Sequence, residues 1–273
     1  MKPAPVFYLF VCMCIIPTLA WAQPNGMNPK DMQLGISEPQ LIEALMKTMP
    51  GLGSNSREML NEQSLKAFMM PPRQSPAQSS RNCYAVAACL EFYTNYSKNY
   101  KSNLSPEYIY LNLAQDQLKE ALAFAAKTGT VSAAIMPFGS STVSMAVRNT
   151  DKFQIQNYLH LYRAEARPRQ KILETRQALM RGNPVIVEMK VSADFPFLKN
   201  LRSWEPGNDR TEEVEPLIVV SYSEERQAFE LLSSYGREWA SNGYLWVSYT
   251  DFARLVNNAY VLIPEENYAQ IGQ

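Results

Sequence analysis

The residue with the clearest chemical potential is a cysteine at the point where a helix is expected to begin. Cys83 follows the polar run Ser79–Asn82 and opens an apolar stretch that continues to Tyr93. The positive end of a helix dipole lowers the pKa of a thiol placed there and favours the reactive thiolate. Cys83 is therefore a candidate nucleophile, and the alternative is a small apolar residue at the buried end of a helix.

A cysteine nucleophile needs a base to take its proton, and the choice of bases is narrow. The chain has one histidine, His160, within the alternating segment Tyr158–Tyr162. Alternation is typical of a strand, so a structural or surface role is expected for this imidazole. A lysine or the mature N-terminal amine is a further candidate base, although no sequence feature points to one.

The N-terminus has the layout of a secretory signal peptide. Lys2 precedes the apolar run Val6–Ile16, which is followed by Ala20-Trp21-Ala22. We predict cleavage after Ala22, which removes residues 1–22 and leaves a secreted or periplasmic protein. No later run approaches the roughly 20 apolar residues of a membrane span, so no membrane insertion is expected after cleavage.

Composition argues against several classes of function. Lys plus Arg and Asp plus Glu number 26 each, so nothing favours nucleic acid as a partner. One histidine and few cysteines are too few ligands for a metal site, and no cofactor is expected. Cys83 and Cys89 lie six positions apart on one expected helix, too far to bridge. The oligomeric state stays open.

The chain changes character twice along its length. Residues 23–75 form an extension rich in Met, Pro, Ser and Asn, with one helical signal at Glu38–Met46. The extension is either the relic of a propeptide or a leader of no special role. Residues 76–273 form the main domain, in which helices are predicted first and strands afterwards, an α+β arrangement. The predicted helices are Tyr84–Tyr93, Pro106–Leu113, Gln117–Ala126 and Lys171–Met180, and the predicted strands are Val185–Val191, Leu217–Tyr222, Ala228–Leu232 and Tyr244–Tyr249.

Several stretches of the main domain, in order, resemble the papain-like cysteine peptidases. QSSRNCYAVA, residues 78–87, resembles the family's oxyanion glutamine, nucleophilic cysteine and central helix, and LSPEYIY, residues 104–110, resembles its second helix. Residues 215–252 resemble the histidine strand, the Asn-Ser-Trp-Gly motif and the closing strands. The resemblance implies a two-lobed fold with a helical lobe, an antiparallel sheet lobe and a cleft between them.

The resemblance breaks at the catalytic positions. Cys83 matches the nucleophile, but Glu215 stands at the histidine position and Ser233 at the asparagine position. Gln78 matches the oxyanion glutamine, but the loop to Cys83 is one residue shorter than the family's and carries Arg81-Asn82 where small residues are usual. Misplacing one oxyanion donor costs roughly 10² to 10³ in rate.

Glutamate is a poor substitute for the missing imidazole. A carboxylate has a pKa about 4 units below that of a thiol, so proton transfer from Cys83 is ~6 kcal/mol uphill. The negative charge of Glu215 is also expected to raise the pKa of the thiol. Cys83 is therefore expected to stay protonated.

These observations predict an exported pseudopeptidase that binds a peptide or protein segment in the interlobe cleft. Tyr84, Tyr235 and Trp239 are candidate binding residues, although core packing is the alternative for the last two. A second hypothesis is an active cysteine peptidase or transferase that uses Cys83 with a non-standard base. A third is a structural component whose cleft is filled by its own N-terminal extension.

Overall fold

The structure is a computed structural model that describes residues 28–49, 60–72, 80–98, 103–207 and 213–265. The expected signal peptide and Gln78 lie outside these ranges. No helix in these ranges is long and apolar enough to cross a membrane. The same residues contain no group of three or more side chains placed to hold a metal ion.

Helices dominate the first half of the described chain. The bounds are α1 Pro39–Thr48, α2 Arg81–Lys98, α3 Pro106–Tyr110, α4 Leu118–Lys127 and α5 Met145–Arg148. The helix α2 is buried over most of its surface, with small Ala85 and Ala87 allowing close neighbours and Leu90 and Phe92 filling the core. It packs against α3 and α4 in the helical lobe.

The helices α3 and α4 show why their ends lie where they do. Ser105 caps α3 by accepting the backbone N–H of Tyr108 at 3.3 Å. This helix ends three residues before the predicted Leu113, because the chain tightens there into turns with bonds between residues three apart. After α4, Gly129 has a φ of +81°, and a Cβ there would lie 2.2 Å from the carbonyl oxygen of Phe153. Only glycine fits that turn.

The second half forms one sheet, which carries α6 Pro168–Met180 and α7 Tyr249–Leu255. The strands are β1 Glu62–Ser64, β2 Ile155–Tyr162, β3 Val185–Val191, β4 Ser203–Trp204, β5 Glu213–Ser223, β6 Ala228–Leu232, β7 Tyr244–Ser248 and β8 Val256–Pro264. Their order in the sheet is β2-β8-β3-β5-β6-β7-β4, with β1 paired to β5. Among these strand pairings, only β4–β7 is parallel.

Two predicted strands have different bounds in the structure. The strand predicted over Leu217–Tyr222 begins four residues earlier, at Glu213, and ends at Ser223. Tyr249, predicted as the end of a strand, is the first residue of α7. Ser248 caps this helix, because its hydroxyl accepts the backbone N–H of Asp251 at 3.0 Å.

The described parts of the N-terminal extension lie along the sheet. Ile36 forms a parallel bridge with Leu159 of β2, and β1 pairs with the last three residues of β5. Leu65 is fully buried just after β1. Met69 accepts a hydrogen bond from the hydroxyl of Tyr244 at 2.7 Å. These residues therefore cover the sheet lobe.

The same helix that forms the centre of the helical lobe also reaches the sheet. Besides its neighbours α3 and α4, α2 packs against β5 and more lightly against β3 and β8. The first turn of α2 consequently faces the first residues of β5, which brings residues 81–83 close to residues 213–216.

Candidate functional site

A buried ion pair joins the lobes at the first turn of α2. Arg81 donates from Nη1 to Glu215 Oε1 at 2.5 Å and to the hydroxyl of Tyr235 at 2.9 Å. Its guanidinium carbon lies 4.4 Å from the Tyr235 ring centroid, a cation–π contact. The side chains of Arg81 and Glu215 are 15% and 7% exposed. The carboxylate at the histidine position is therefore paired with a cation.

The electrostatics of Glu215 reflect two opposing influences. Burial raises the pKa of the Glu215 carboxyl, and the positive charge of Arg81 and the hydroxyl of Tyr235 oppose that shift. Glu215 Oε1 accepts a hydrogen bond from the Arg81 guanidinium. Glu215 is consequently an electrostatic partner of α2.

The thiol of Cys83 is directed toward a different acid. Cys83 is fully buried, and its Sγ donates to Asp116 Oδ1 at 3.5 Å. Burial, and then the charge and hydrogen bond of Asp116, raise the pKa of the Cys83 thiol, with a smaller effect from Glu107. We expected the charge of Glu215 to raise the pKa of Cys83. That attribution was wrong, because Glu215 is paired with Arg81 and the acid beside the thiol is Asp116.

Asp116 itself was missed by the sequence analysis. Asn82 donates from Nδ2 to both the backbone oxygen and Oδ2 of Asp116 at 3.1 Å. Burial raises the pKa of the Asp116 carboxyl, and the hydrogen bonds from Asn82 and Cys83 oppose this shift. A lone acid between two predicted helices matches no catalytic motif, and its contact with Cys83 spans 33 positions.

Ser233 is used in a local turn. It is 1% exposed, and its hydroxyl accepts the backbone N–H of Tyr235 at 3.2 Å. Its backbone N–H donates to the carbonyl of Gly243 at 3.3 Å. The residue at the asparagine position therefore orients the chain that carries Tyr235.

The three candidate binding residues have different surroundings. Tyr235 is partly buried against Arg81, as described above. Trp239 is 2% exposed, and its indole N–H donates to the backbone oxygen of Phe195 at 2.7 Å. Tyr84 lines a separate cavity, which has no lining residue in common with the pocket that contains Asp116. Of the three, only Tyr235 contacts the ion pair.

His160 lies in β2, away from the contacts of Cys83 just described. Its Nε2 is 3.1 Å from Asn258 Oδ1, and its ring stacks on Tyr260 with centroids 4.7 Å apart. Burial lowers the pKa of this imidazole, and the nearby charges of Lys119 and Arg163 lower it further. Its recorded partners fit the structural role expected from the strand pattern.

A pocket of about 350 Å³ lies beside the first turn of α2. It lies between the start of α4 and the strands β3, β5 and β8, so it belongs to the interlobe cleft. None of the described extension residues lines it. Its lining residues are Asn82, Asp116, Gln117, Leu118, Lys119, Glu188, Val214, Pro216 and Asn258.

The polar groups at this site form charge pairs and hydrogen bonds with one another. Within the part of the chain that the structure describes, the thiol of Cys83 donates to an acid, Asp116. A protonated, buried thiol against a carboxylate is a poor nucleophile. The polar pocket beside it can donate and accept hydrogen bonds.

Comparisons with known proteins agree on the fold. No protein-family model matches the chain, and no curated protein sequence matches it. The chain is similar to the cysteine protease xylellain from Xylella fastidiosa, with a TM-score of 0.59 and 16% identity over 79% of this chain and 92% of that one. This likeness places the chain among structures with the papain-like fold.

Two further solved structures support the same assignment. A cysteine protease of ragweed pollen in its proform has a TM-score of 0.61 and 14% identity, covering 85% of this chain and 75% of that one. The bromelain protease of Ananas comosus has a TM-score of 0.57 and 16% identity, covering 76% and 100%. The expected α+β, two-lobed, papain-like fold is confirmed.

Proposed function

We propose that the protein is an exported papain-like pseudopeptidase that binds an extended peptide or a segment of a partner protein between its lobes. The ion pair of Arg81 and Glu215 carries this proposal. Glu215 occupies the position where hydrolysis would require an imidazole in contact with the Cys83 thiol. Its carboxylate is paired with the Arg81 guanidinium.

The energetics of proton transfer support the absence of hydrolysis. Even for an exposed thiol, transfer to a carboxylate is ~6 kcal/mol uphill. Burial and Asp116 raise the pKa of Cys83 further. Each additional unit adds about 1.4 kcal/mol to the difference, so the thiolate is rare at neutral pH.

The composition of the cleft pocket supports binding of a peptide. Leu118, Val214 and Pro216 offer apolar contact, and the amides, carboxylates and single lysine of the lining offer hydrogen bonds. Peptide sites in proteins combine these two features, with apolar contact for side chains and polar groups for the backbone. Val214 is 50% exposed, so it is available for contact.

Binding can be tested with fluorescence anisotropy of a labelled, positional-scanning hexapeptide library against the mature protein. Val214→Trp should fill the pocket and weaken binding of the selected peptides at least about tenfold, or ~1.4 kcal/mol. Met145→Trp is the matched control, because Met145 is 71% exposed on α5 and lines none of the pockets described. Equal binding by both variants would contradict the cleft as the site.

Hydrolysis is tested separately with the same peptides. Mass spectrometry after incubation should show intact peptides for wild type and Cys83→Ala alike. Cleavage by wild type that disappears in Cys83→Ala would establish the competing function, a hydrolase or transferase with a non-standard base.

A further inference from the structure

A second cavity lies along α2, beyond its first turn. Its volume is about 620 Å³, and none of its described lining residues lines the pocket at Asp116. One wall is formed by α2, and the others by residues 68–72 of the extension, residues 103–104, residues 132–134, Phe138, Leu232 and Arg237. The extension therefore contributes one side of the cavity.

Glu91 is a partly buried acid that lines this cavity, and it forms no ion pair among the residues that the structure describes. Its Oε2 accepts the backbone N–H of Leu104 at 3.0 Å. Burial raises the pKa of Glu91 to about 7, and no charged side chain of the described residues contributes to that shift. A carboxylate kept from water without a cation is unfavourable, and a cationic ligand would relieve that penalty.

The walls around Glu91 are suited to an apolar ligand body. Phe68, Tyr84 and Phe138 supply aromatic rings, and Ala87 and Ala88 leave room against the helix. Aromatic faces attract ammonium groups, and a carboxylate accepts charge-assisted hydrogen bonds from them. An ammonium group at Glu91 with its hydrocarbon part against these rings would satisfy both features.

We propose that this cavity binds an organic amine, with its ammonium group at Glu91 and its apolar or aromatic body against the rings. This site is separate from the interlobe cleft and does not depend on the proposed function. Arg237 also lines the cavity, and it makes no contribution to the raised pKa of Glu91.

The test compares phenylbutylamine with phenylbutanol, which has nearly the same shape without the charge, by calorimetry on the mature protein. At pH 8 the amine should bind at least about tenfold more tightly than the alcohol. At pH 6 that preference should fall about tenfold, because a group with a pKa near 7 loses most of its charge in this interval. Burial and the charge of Glu91 raise the pKa of Tyr84, which keeps it neutral throughout.

Variants separate the role of Glu91 from the rest of the cavity. Glu91→Gln should remove the preference for the amine and keep the binding of the alcohol, and Arg237→Gln should strengthen or preserve amine binding. Glu225→Gln, on an exposed turn, should leave both ligands unchanged. Equal affinity of amine and alcohol in wild type at pH 8 would overturn the proposal, and so would the absence of binding by either ligand at millimolar concentration. A preference for the amine that is unchanged between pH 8 and pH 6 would also overturn it, whether or not Glu91→Gln folds.

Discussion

Removing Arg81 should destabilise the fold more than the loss of an ordinary surface charge. In Arg81→Met, the Glu215 carboxylate stays 93% buried without its cation, since that side chain is 7% exposed in the pair. Breaking a buried pair from one side costs about 3–5 kcal/mol, because the remaining charge is left uncompensated. Tyr235 can still donate to Glu215, which places the expected loss near the lower end, ~3 kcal/mol.

The double variant should recover much of this loss. In Arg81→Met with Glu215→Leu neither charge is buried, and well-packed apolar replacements of buried pairs are often close to neutral. A double-mutant cycle should therefore give a coupling energy of roughly 2 kcal/mol. The penalty of Arg81→Met alone should also shrink from pH 8 to pH 5, because an unpaired Glu215 can then take up a proton.

Urea unfolding followed by circular dichroism measures these free energies from the midpoint at an unchanged m-value. Arg254→Met is the control, because its pair with Asp251 is exposed, with side-chain exposures of 47% and 26%, and such pairs contribute about 0–1 kcal/mol. A loss below ~1 kcal/mol for Arg81→Met, or a coupling energy near zero, would refute the idea that this ion pair holds the lobes together.

Three further predictions follow from buried groups. Iodoacetamide should modify Cys83 slowly at pH 7 and rapidly in denaturing urea, and Asp116→Asn should speed the reaction, as peptide mapping by mass spectrometry would show. The pKa of Glu91 is raised from 4.5 to about 7, so ionisation should cost the folded state ~3 kcal/mol above pH 7. Wild type should then gain stability as pH falls from 8 toward 5, and Glu91→Gln should lose most of that gain in urea unfolding. Leu65→Ala should destabilise the protein by about 2–5 kcal/mol, because Leu65 is fully buried beside β1.

Each of these three predictions has a contrary outcome. Rapid alkylation of Cys83 at pH 6 would indicate a stabilised thiolate and favour the enzyme hypothesis. Parallel pH profiles for wild type and Glu91→Gln would show that Glu91 ionises normally in the folded state. Full stability of Leu65→Ala would show that docking of residues 60–72 adds little to the fold.

The elements that follow from local sequence were predicted well, and those that depend on long-range packing were not. The bounds of β3 and β6 match their predicted ranges, because a compact apolar run between turn residues specifies a buried strand locally. The strand β8, Val256–Pro264, was not predicted, although it pairs with both β2 and β3. Its Asn257 and Asn258 interrupt the apolar pattern, and the sheet on both sides compensates for them.

The sequence predicted which residues occupy the catalytic positions, but it did not predict which side chains those residues contact. The positions of Glu215 and Ser233 could be assigned from short motifs around them. The pairing of Arg81 with Glu215 spans 134 positions, and nothing local to either residue specifies the other. Motif comparison identifies which group is replaced, whereas the geometry of both lobes is needed to identify the new partner.

The two departures from the peptidase pattern at positions 81 and 215 form a single feature. Glu215 alone would place an unpaired carboxylate in a buried position, and Arg81 alone would place an unpaired guanidinium there. Together they satisfy each other and Tyr235, so each is tolerable because the other is present. A reversal at one position, such as Glu215→His, would set an imidazole against a guanidinium and leave the thiol of Cys83 on Asp116. The first turn of α2 therefore contributes a charge pair between the lobes, and under the proposed function a return to proton transfer from Cys83 would require Arg81, Asp116 and Glu215 to change together.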